Sequence, residues 1–462
     1  MRSRPTIRLQ RMSHPTAPDT ARAAHAGHEA SVDPAMRDGR DSAREAARLA
    51  KKRMYRRRRI VVFSVLAVVL ALFVSGGVYV SNALGAPIPE AQPAIVDPEP
   101  VAEPAQPLAV PGFGSWAIAA VGFDGLLAQS DDQSVLPMAS IAKVVTSLVV
   151  LDQHPIPAGE GGESIAYTDA DVDIYWDMIA QNGSVAPVEA GATLTLKESL
   201  EAMLLPSGNN YAISIANWAF GSEAAYADAA NAWLAAHGFT ETHIADASGL
   251  SLDSTSTARE LVKLGELALQ TPALAEIVAM PHAEIPEIGG VDNSNKLLGT
   301  HGVDGIKTGT TDDAANLLYS ADYPVGDTTV TLVGVVLNAD DHAQIRAAVA
   351  ALLDSVAPGF HQVTALTAGT ELASYTTPWG DDAVARATDG ATVLVWSDTP
   401  VDVSVQVNPI TLADVGTRVG TATITAGAQT IEVPITLDGE IDDPGTWWRL
   451  QNPGVLDAAG AK

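Results

Sequence analysis

An uncharged run of 21 residues, 60–80, constrains the fold of this chain more than any other single stretch. At about 1.5 Å per residue, a helix of that length spans roughly 30 Å, the thickness of a bilayer core. The run directly follows the basic block at residues 51–59, which holds seven Lys and Arg. Because basic residues that flank a span stay in the cytoplasm, we predict one membrane anchor with a cytoplasmic N-terminus and everything after about Asn82 outside.

The same run is also compatible with a cleaved signal peptide. Ser75, Gly76 and Gly77 interrupt its apolar character, and Ala83-Leu84-Gly85 is small enough to be a cleavage site. The 59 residues before the run are far longer than the usual N-terminal region of a signal peptide, which favours the anchor. The sequence leaves both interpretations open.

The charge of the chain changes sign at the same place. Residues 1–59 hold 16 Lys and Arg against 6 Asp and Glu, and the rest holds 11 against 49, so a region of net charge +10 precedes one of −38. The basic block beside an apolar span and the acidic remainder predict that nucleic acid is not a partner. With no cysteine and no histidines at ligand spacing, we predict neither a metal nor a cofactor.

Composition divides the chain into six predicted segments. Eight prolines in 85–111 indicate an extended, semi-rigid linker that holds the folded part off the membrane. After Pro358-Gly359, short apolar runs such as 401–407 predict strands. The predicted segments are a basic disordered cytoplasmic tail (1–59), a transmembrane helix (60–82), a linker (83–111), a catalytic domain (112–357), a small all-β domain (358–450) and a tail (451–462).

The most reactive pattern in the predicted catalytic domain is Ser140 with Lys143. Residues three apart share one face of a helix, and the apolar run 144–151 predicts that this helix is buried and begins near Ser140. The free backbone N–H groups of its first turn can hold a developing oxyanion. A partly desolvated lysine can take the proton of the serine.

Two further motifs follow in order. Ser207-Gly208-Asn209 falls in a predicted tight loop between a helix over 195–205 and one starting at Asn210, with Gly208 permitting unusual dihedral angles. Lys307-Thr308-Gly309 opens a predicted antiparallel set of strands over 315–321 and 329–337. Ser-x-x-Lys, Ser-x-Asn and Lys-Thr-Gly in this order are characteristic of β-lactamases and penicillin-binding proteins.

Over about residues 112–356 the chain resembles the low-molecular-mass penicillin-binding proteins, the D-alanyl-D-alanine carboxypeptidases. The resemblance includes the three motifs and extends to segments 137–143, 204–210, 246–250, 256–259, 293–297 and 302–309. It implies an α+β, β-lactamase/transpeptidase-like catalytic domain, in which a five-stranded antiparallel sheet joins a helical lobe. A small C-terminal all-β domain is also common in that family.

The resemblance further implies the reaction and its residues. The reaction would be removal of the terminal D-Ala from peptidoglycan stem peptides through an acyl-enzyme, and β-lactams would acylate the same serine. Ser140 would be the nucleophile, Lys143 the general base and Ser207 a proton relay. The implied substrate-binding residues are Asn209 for the substrate amide, Lys307, Thr308 and Gly309 for the terminal carboxylate, and Thr310, whose backbone N–H would form the oxyanion hole with that of Ser140.

Other functions fit the same motifs. A D,D-endopeptidase or a β-lactamase would use the same residues, although the loop with a deacylating glutamate of a class A β-lactamase is not identifiable. A non-catalytic cell-wall-binding relative is a third alternative, and the intact motifs argue against it. Some family members carry histidine directly after Lys-Thr-Gly, where this chain has Thr310, which bears on substrate preference.

A lysine base requires a lowered pKa. A free lysine titrates near ~10.4, and the charge of −38 favours its protonated form. Burial disfavours the charge, and Lys307 is the candidate second cation that would lower the pKa of Lys143 further. The alternative is that Lys307 only binds the substrate carboxylate.

Overall fold

A computed structural model describes residues 35–101 and 103–460, with side chains from residue 46 onwards. These residues form two compact units, each made of two stretches of the chain. The first unit combines the residues up to Pro87 with Arg449–Asp457, and the second combines Ile88–Trp448 with the residues after Asp457. Residues 1–34 of the predicted tail lie outside the described residues.

The helices of the described region follow one another along the chain as α1 Ala35–Gly85, α2 Ala142–Gln153, α3 Asp169–Ala180, α4 Leu196–Leu204, α5 Asn209–Phe220, α6 Glu223–Ala236, α7 Ala258–Gln270, α8 Pro272–Val278, α9 His342–Val356, α10 Gly445–Gln451 and α11 Pro453–Gly460. The strands are β1 Pro93–Ile95, β2 Ser115–Ala120, β3 Ala128–Gln129, β4 Leu136–Pro137, β5 Ser164–Ala166, β6 Thr193–Thr195, β7 Thr255–Ser256, β8 His282–Ile285, β9 Gly289–Asp292, β10 Val303–Thr310, β11 Ala315–Val325, β12 Thr328–Ala339, β13 Phe360–Leu366, β14 Glu371–Thr376, β15 Asp382–Ala387, β16 Ala391–Trp396, β17 Val401–Val407, β18 Arg418–Ala426 and β19 Gln429–Asp438.

Helix α1 runs through the basic block and the uncharged run without a break. The apolar side chains of residues 60–80 are exposed along its whole surface, as expected for a helix whose neighbours are lipids. Among the described residues it is the one helix long and apolar enough to span a membrane. The prediction of a disordered tail is wrong for 35–59, where Ala, Arg and Lys, all good helix formers, extend the helix.

The proline-rich segment is not a free spacer along its whole length. Strand β1 pairs with β14 and forms one edge of a six-stranded sheet. Farther along, Gln106 donates its backbone N–H to Ser397 Oγ (2.8 Å) and its side-chain amide to the backbone oxygen of Ser355 (3.0 Å). An edge is the position in a sheet where a proline, which lacks an N–H, is tolerated, so these contacts are compatible with the composition that suggested a linker.

The predicted catalytic domain is built on an antiparallel sheet of order β10-β11-β12-β2-β3. This is the predicted five-stranded antiparallel sheet, and β10, which carries Lys307-Thr308-Gly309, is its edge strand. Both faces of the sheet are covered, as β2 shows. Ala117 and Ala119 join the core beneath the helical lobe, while Trp116 and Ile118 join the core beneath α9.

Close packing of helix on sheet depends on a glycine in α7. A Cβ added at Gly265 would lie 2.6 Å from Val333 Cγ1 and 3.1 Å from Leu318 Cδ1. The first distance is shorter than real Cβ contacts, and the second would require Leu318 to move by a few tenths of an ångström. Gly265 therefore sets the distance between α7 and the centre of the sheet.

The C-terminal β region has a core of its own. Its larger sheet has the order β1-β14-β15-β19-β18-β17, beside the pair β13-β16. The Phe360 ring at the start of β13 packs against Phe123 (5.3 Å between ring centroids) and Trp396 (6.3 Å). These aromatic contacts join β13 and β16 to the α9 face of the catalytic sheet.

Candidate active site

Ser140 lies in a 3-10 turn, Ala139–Ile141, that runs directly into α2. The predicted helix therefore starts two residues later than Ser140. Ala139 has φ 50°, in the left-handed region, and both Ala139 and Ile141 are buried while Ser140 is partly exposed. The turn thus presents one hydroxyl to solvent from an otherwise buried backbone.

Two glycines allow other segments to pack against this turn. A Cβ on Gly309 of β10 would lie 2.8 Å from the backbone oxygen of Met138, and one on Gly249 would lie 1.9 Å from that of Ala139. Gly249 also has φ +74°, which side chains rarely adopt. The last residue of Lys-Thr-Gly is therefore required for close approach between β10 and the serine turn.

We expect Gly249→Ala to lower the free energy of unfolding by about 3–5 kcal/mol, the sum of left-handed strain and a clash with fixed backbone. The matched control is Gly122→Ala. Gly122 also has a left-handed φ (+85°), but no atom lies within 4 Å of an added Cβ, so only strain of about 1–2 kcal/mol remains. Denaturant unfolding of both variants measures the difference, and equal losses would show that the contact at Ala139 adds nothing.

Lys143 is fully buried and its side-chain nitrogen contacts three oxygens. Nζ lies 2.9 Å from Ser140 Oγ, 2.7 Å from Asn209 Oδ1 and 2.8 Å from the backbone oxygen of Ser248. The last two oxygens can only accept hydrogen bonds, and a neutral amine has two N–H groups and one lone pair. If the amine is neutral and donates both N–H groups to Asn209 and Ser248, its lone pair is left to accept the proton of the Ser140 hydroxyl. This is the arrangement of a general base on its nucleophile.

The electrostatics of the site favour the neutral amine. Burial holds the pKa of Lys143 well below its usual value, the nearby Lys307 lowers this pKa further, and Asp246 raises it by a smaller amount. Burial alone lowers the pKa of Lys307 to about 7. The direction of the Lys307 effect agrees with the expectation from the sequence.

The carboxylate of Asp246 organises the loop that supplies the Ser248 oxygen. One of its oxygens accepts from the backbone N–H groups of Ser248 (2.7 Å) and Gly249, and the other from that of Ser251 (2.5 Å). An Asp that bonds N–H groups just ahead of it is a local turn signal that can be recognised in sequence. This segment entered the sequence prediction only through the family resemblance, and its contact with Lys143 was missed.

The Ser-x-Asn loop differs from the prediction in its backbone. Ser207, not Gly208, adopts a left-handed conformation (φ 66°), and Gly208 has φ −62°. Glycine is needed at 208 for space, because a Cβ there would lie 2.7 Å from the backbone oxygen of Ala202. Ser207 is buried, and among the described residues no hydrogen bond joins its hydroxyl to Lys143 or Ser140.

Asn209 and Lys143 form a pair across 66 residues of sequence. Since the amide oxygen of Asn209 accepts from Lys143, its NH₂ group remains as a donor. A donor of this kind can bind a carbonyl oxygen of a bound peptide. The structure thus gives Asn209 a contact with the base that was not predicted from the sequence.

Lys307, Thr308 and Thr310 lie on strand β10, which packs against the serine turn at Gly309. Lys307 Nζ donates to the backbone oxygen of Thr308 (3.1 Å) and lies 3.4 Å from its Oγ1. The hydroxyl of Thr308 contacts Ser294 Oγ (2.7 Å), and that of Thr310 contacts His342 Nε2 (2.8 Å). Ser294 entered the sequence prediction only through the resemblance of segment 293–297, without a role, and His342 was missed; they lie 14 and 32 residues from their threonine partners.

Comparisons with known proteins agree with this geometry. A family model described as D-alanyl-D-alanine carboxypeptidase matches residues 114–341. The D-alanyl-D-alanine carboxypeptidase DacB2 of Mycobacterium tuberculosis is 30% identical over 214 residues, which cover 45% of this chain and 69% of that protein. A D-alanyl-D-alanine endopeptidase of Pseudomonas aeruginosa is 30% identical over 40% of this chain and 58% of its own length. The carboxypeptidase DacA of Escherichia coli is 28% identical over 40% of this chain and 46% of its own length. The matches therefore span about half to two thirds of the length of these relatives.

Solved structures show the same fold at low identity. Penicillin binding protein 5 from Haemophilus influenzae aligns over 76% of this chain and 100% of its own, with a TM-score of 0.50 and 18% identity. A peptidoglycan synthesis regulatory factor (PBP3) from Streptococcus pneumoniae aligns over 72% and 100%, with a TM-score of 0.51 and 21% identity. These likenesses confirm the predicted fold class and carry no argument about substrate.

Proposed function

Because this chain belongs to the D-alanyl-D-alanine carboxypeptidase family, we propose that it removes the terminal D-Ala from peptidoglycan stem peptides through an acyl-enzyme on Ser140. The observation that carries the proposal is the 2.9 Å contact of Lys143 Nζ with Ser140 Oγ, beside two oxygens that can only accept hydrogen bonds from the same nitrogen. A non-catalytic wall-binding protein has no use for a buried lysine in this state.

In the proposed acylation, Lys143 takes the proton of Ser140 while Oγ attacks the carbonyl carbon of the penultimate D-Ala. The oxyanion that forms is stabilised by the backbone N–H groups of Ser140 and Thr310. The C–N bond to the last D-Ala then breaks, its amine receives a proton by way of Lys143 and Ser207, and D-Ala leaves. Water hydrolyses the ester and restores Ser140.

Recognition of the substrate is assigned to β10 and the Ser-x-Asn loop. The ammonium of Lys307 and the hydroxyl of Thr308 bind the terminal carboxylate, and the NH₂ group of Asn209 binds the peptide carbonyl. Gly309 brings this strand up to the serine turn. β-Lactams, which also carry a carboxylate beside a reactive carbonyl, acylate the same serine in this proposal.

An endopeptidase is the second candidate function, since one of the similar proteins carries that name. The two activities differ in the group that cleavage releases, which is a free D-Ala for one and a cross-linked chain for the other. The purified enzyme should release D-Ala from a pentapeptide and leave cross-linked muropeptide dimers largely intact. Cleavage of the dimers with little release of D-Ala would replace the carboxypeptidase with the endopeptidase.

The proposed location is the outer face of the cytoplasmic membrane, with α1 as the anchor and the N-terminus inside. Support comes from the exposed apolar surface of α1 and the basic block that precedes its apolar part. The native protein should sediment with membranes and be released by detergent, with an intact N-terminus. A mature N-terminus near Ala86 would identify a cleaved signal peptide instead.

We expect Lys307→Gln to lower kcat/KM by about 10- to 100-fold and to move the acidic limb of its pH profile to higher pH. The plateau falls because a charge-assisted hydrogen bond to the carboxylate is lost. The limb moves because the Lys307 charge lowers the pKa of Lys143, so its removal makes the base harder to deprotonate. The control is Lys197→Gln, which removes a lysine paired with Glu276. It should leave kcat/KM and the position of the acidic limb unchanged.

In the wild-type enzyme the same groups set a bell-shaped profile. Activity rises with pH as Lys143 loses its proton and falls as Lys307, with a pKa of about 7, loses its own. A lowered plateau in Lys307→Gln with an unmoved acidic limb would leave Lys307 as a carboxylate anchor without influence on Lys143.

A further inference from the structure

Ser294 lies between the helical lobe and the edge strand of the sheet. Its backbone N–H donates to the backbone oxygen of Leu205 (2.9 Å), at the end of α4, and its hydroxyl lies 2.7 Å from Thr308 Oγ1. Its two asparagine neighbours fix it in place. The side-chain amide of Asn293 donates to the backbone oxygen of Met280 (3.0 Å). The side-chain amide of Asn295 donates to the backbone oxygen of Gly305 in β10 (3.1 Å).

The contacts of Thr308 limit what its hydroxyl can do. A hydroxyl has one O–H to donate and two lone pairs that accept. The ammonium form of Lys307, with Nζ 3.4 Å away, is a donor only and occupies one lone pair. If Ser294 donates to the second, the O–H of Thr308 has no role left except to donate to a further acceptor. If Thr308 instead donated to Ser294, it would have no proton for a substrate.

We propose that Ser294 is a positioning residue that donates its hydroxyl proton to Thr308 and thereby commits the Thr308 hydroxyl to donate to the terminal carboxylate of the substrate. The inference rests on the proposed function, because it specifies how that site recognises the carboxylate. A carboxylate only accepts hydrogen bonds, so its arrival favours this direction of the Ser294–Thr308 bond over the reverse.

Neutral donors have a particular value in this protein. The region after residue 59 has a net charge of −38, and the ammonium of Lys307 already donates to the backbone oxygen of Thr308. Hydroxyl donors do not titrate near neutral pH, whereas Lys307 has a pKa of about 7. Ser294 and Thr308 therefore keep one donor to the carboxylate at pH values where Lys307 has lost its proton, although the loss of the Lys307 charge still lowers activity.

The test compares a substrate that has the carboxylate with one that lacks it. N-acyl-L-Lys-D-Ala-D-Ala and its C-terminal amide are assayed with the wild-type enzyme, Ser294→Ala and Ser294→Thr. For the free acid we expect Ser294→Ala to raise KM about tenfold with kcat changed less than about twofold, as for loss of one hydrogen bond to a charged group. For the amide we expect no change in kcat/KM beyond about twofold. Ser294→Thr keeps a hydroxyl and should restore most of the affinity for the acid.

The same comparison with benzylpenicillin and its methyl ester measures acylation of Ser140 by intact mass. This second pair keeps the test decisive if the wild-type enzyme releases no D-Ala, an outcome that would overturn the proposed carboxypeptidase and leave the role of Ser294 measurable. Equal losses on acid and amide, or on acid and ester, would mean that Ser294 only supports the fold. Unchanged kinetics on the acid would mean that Thr308 donates to the carboxylate without Ser294. Either result overturns the inference.

Discussion

Replacing Ser140 with alanine should abolish the covalent adduct with benzylpenicillin and lower the release of D-Ala by at least about 10⁴-fold. Without the hydroxyl there is no atom for the base to deprotonate, and a residue that forms the covalent bond acts as a unit with its base. Intact-mass analysis of the wild-type protein should show one adduct, and the Ser140→Ala variant should show none at any concentration of the drug.

The matched control is Ser147→Ala, one turn of α2 beyond Lys143. Ser147 is buried and donates its hydroxyl to the backbone oxygen of Lys143 (2.8 Å), so its loss costs a hydrogen bond of about 1 kcal/mol without touching the nucleophile. This variant should keep the adduct. An adduct that survives in Ser140→Ala, mapped to another peptide, would refute the assignment of Ser140.

Much of the fold could be predicted from local patterns in the sequence. Strand β17 begins and ends where the apolar run 401–407 does, and β10, with Lys307-Thr308-Gly309, opens the antiparallel set as predicted. Strands β13, β14 and β15 were missed. In β15 the buried residues are small alanines, such as Ala383 and Ala385, which give a weak apolar signal in the sequence. All three strands depend on pairing partners that follow later in the chain or lie far from them in sequence.

The failures of prediction share a physical cause, which is that the deciding contact comes from elsewhere in the chain. The segment at 93–95 becomes a strand only because β14 offers a free edge. Gly208 is required by the position of Ala202 and not by its own dihedral angles. A proline-rich or glycine-containing stretch indicates an unusual backbone conformation or a close contact. The residues that pack against the stretch in the folded protein determine which of these it is.

The same distinction applies to the active site. Ser140 and Lys143 are three residues apart, so helical geometry alone brings them together, as the structure has them. The acceptors that orient the lysine lie 66 and 105 residues away, and Ser248 acts through its backbone oxygen, which has no side-chain signature. The chemical roles assigned to the motif residues remain proposals, and variants at Ser140, Lys143 and Lys307 test them.

Lys143→Met should lower the rate of acylation by about 10³- to 10⁴-fold, the upper range for loss of general-base catalysis. Methionine has nearly the length of lysine and leaves the buried volume filled, but it has no lone pair able to take the proton of Ser140. Lys143→Arg should fail equally, because a guanidinium stays protonated at any accessible pH. The pair of variants therefore separates loss of the base from loss of the positive charge.

Lys143→Met also changes the stability of the protein, so acylation must be measured under conditions where the variant is folded. Asn209 Oδ1 and the Ser248 backbone oxygen lose their hydrogen-bond donor, which lowers the free energy of unfolding by about 1–3 kcal/mol for each oxygen if no water replaces it. The substitution also removes the cost of burying an amine, which acts in the opposite direction. Thermal unfolding at about pH 8 should therefore show a modest loss of stability, and acylation is measured well below that midpoint. The slow acylation that remains should no longer follow the acidic limb of the wild-type pH profile, since the group that titrates there is gone. Acylation within about tenfold of wild type, or a limb that persists unchanged, would show that another group deprotonates Ser140.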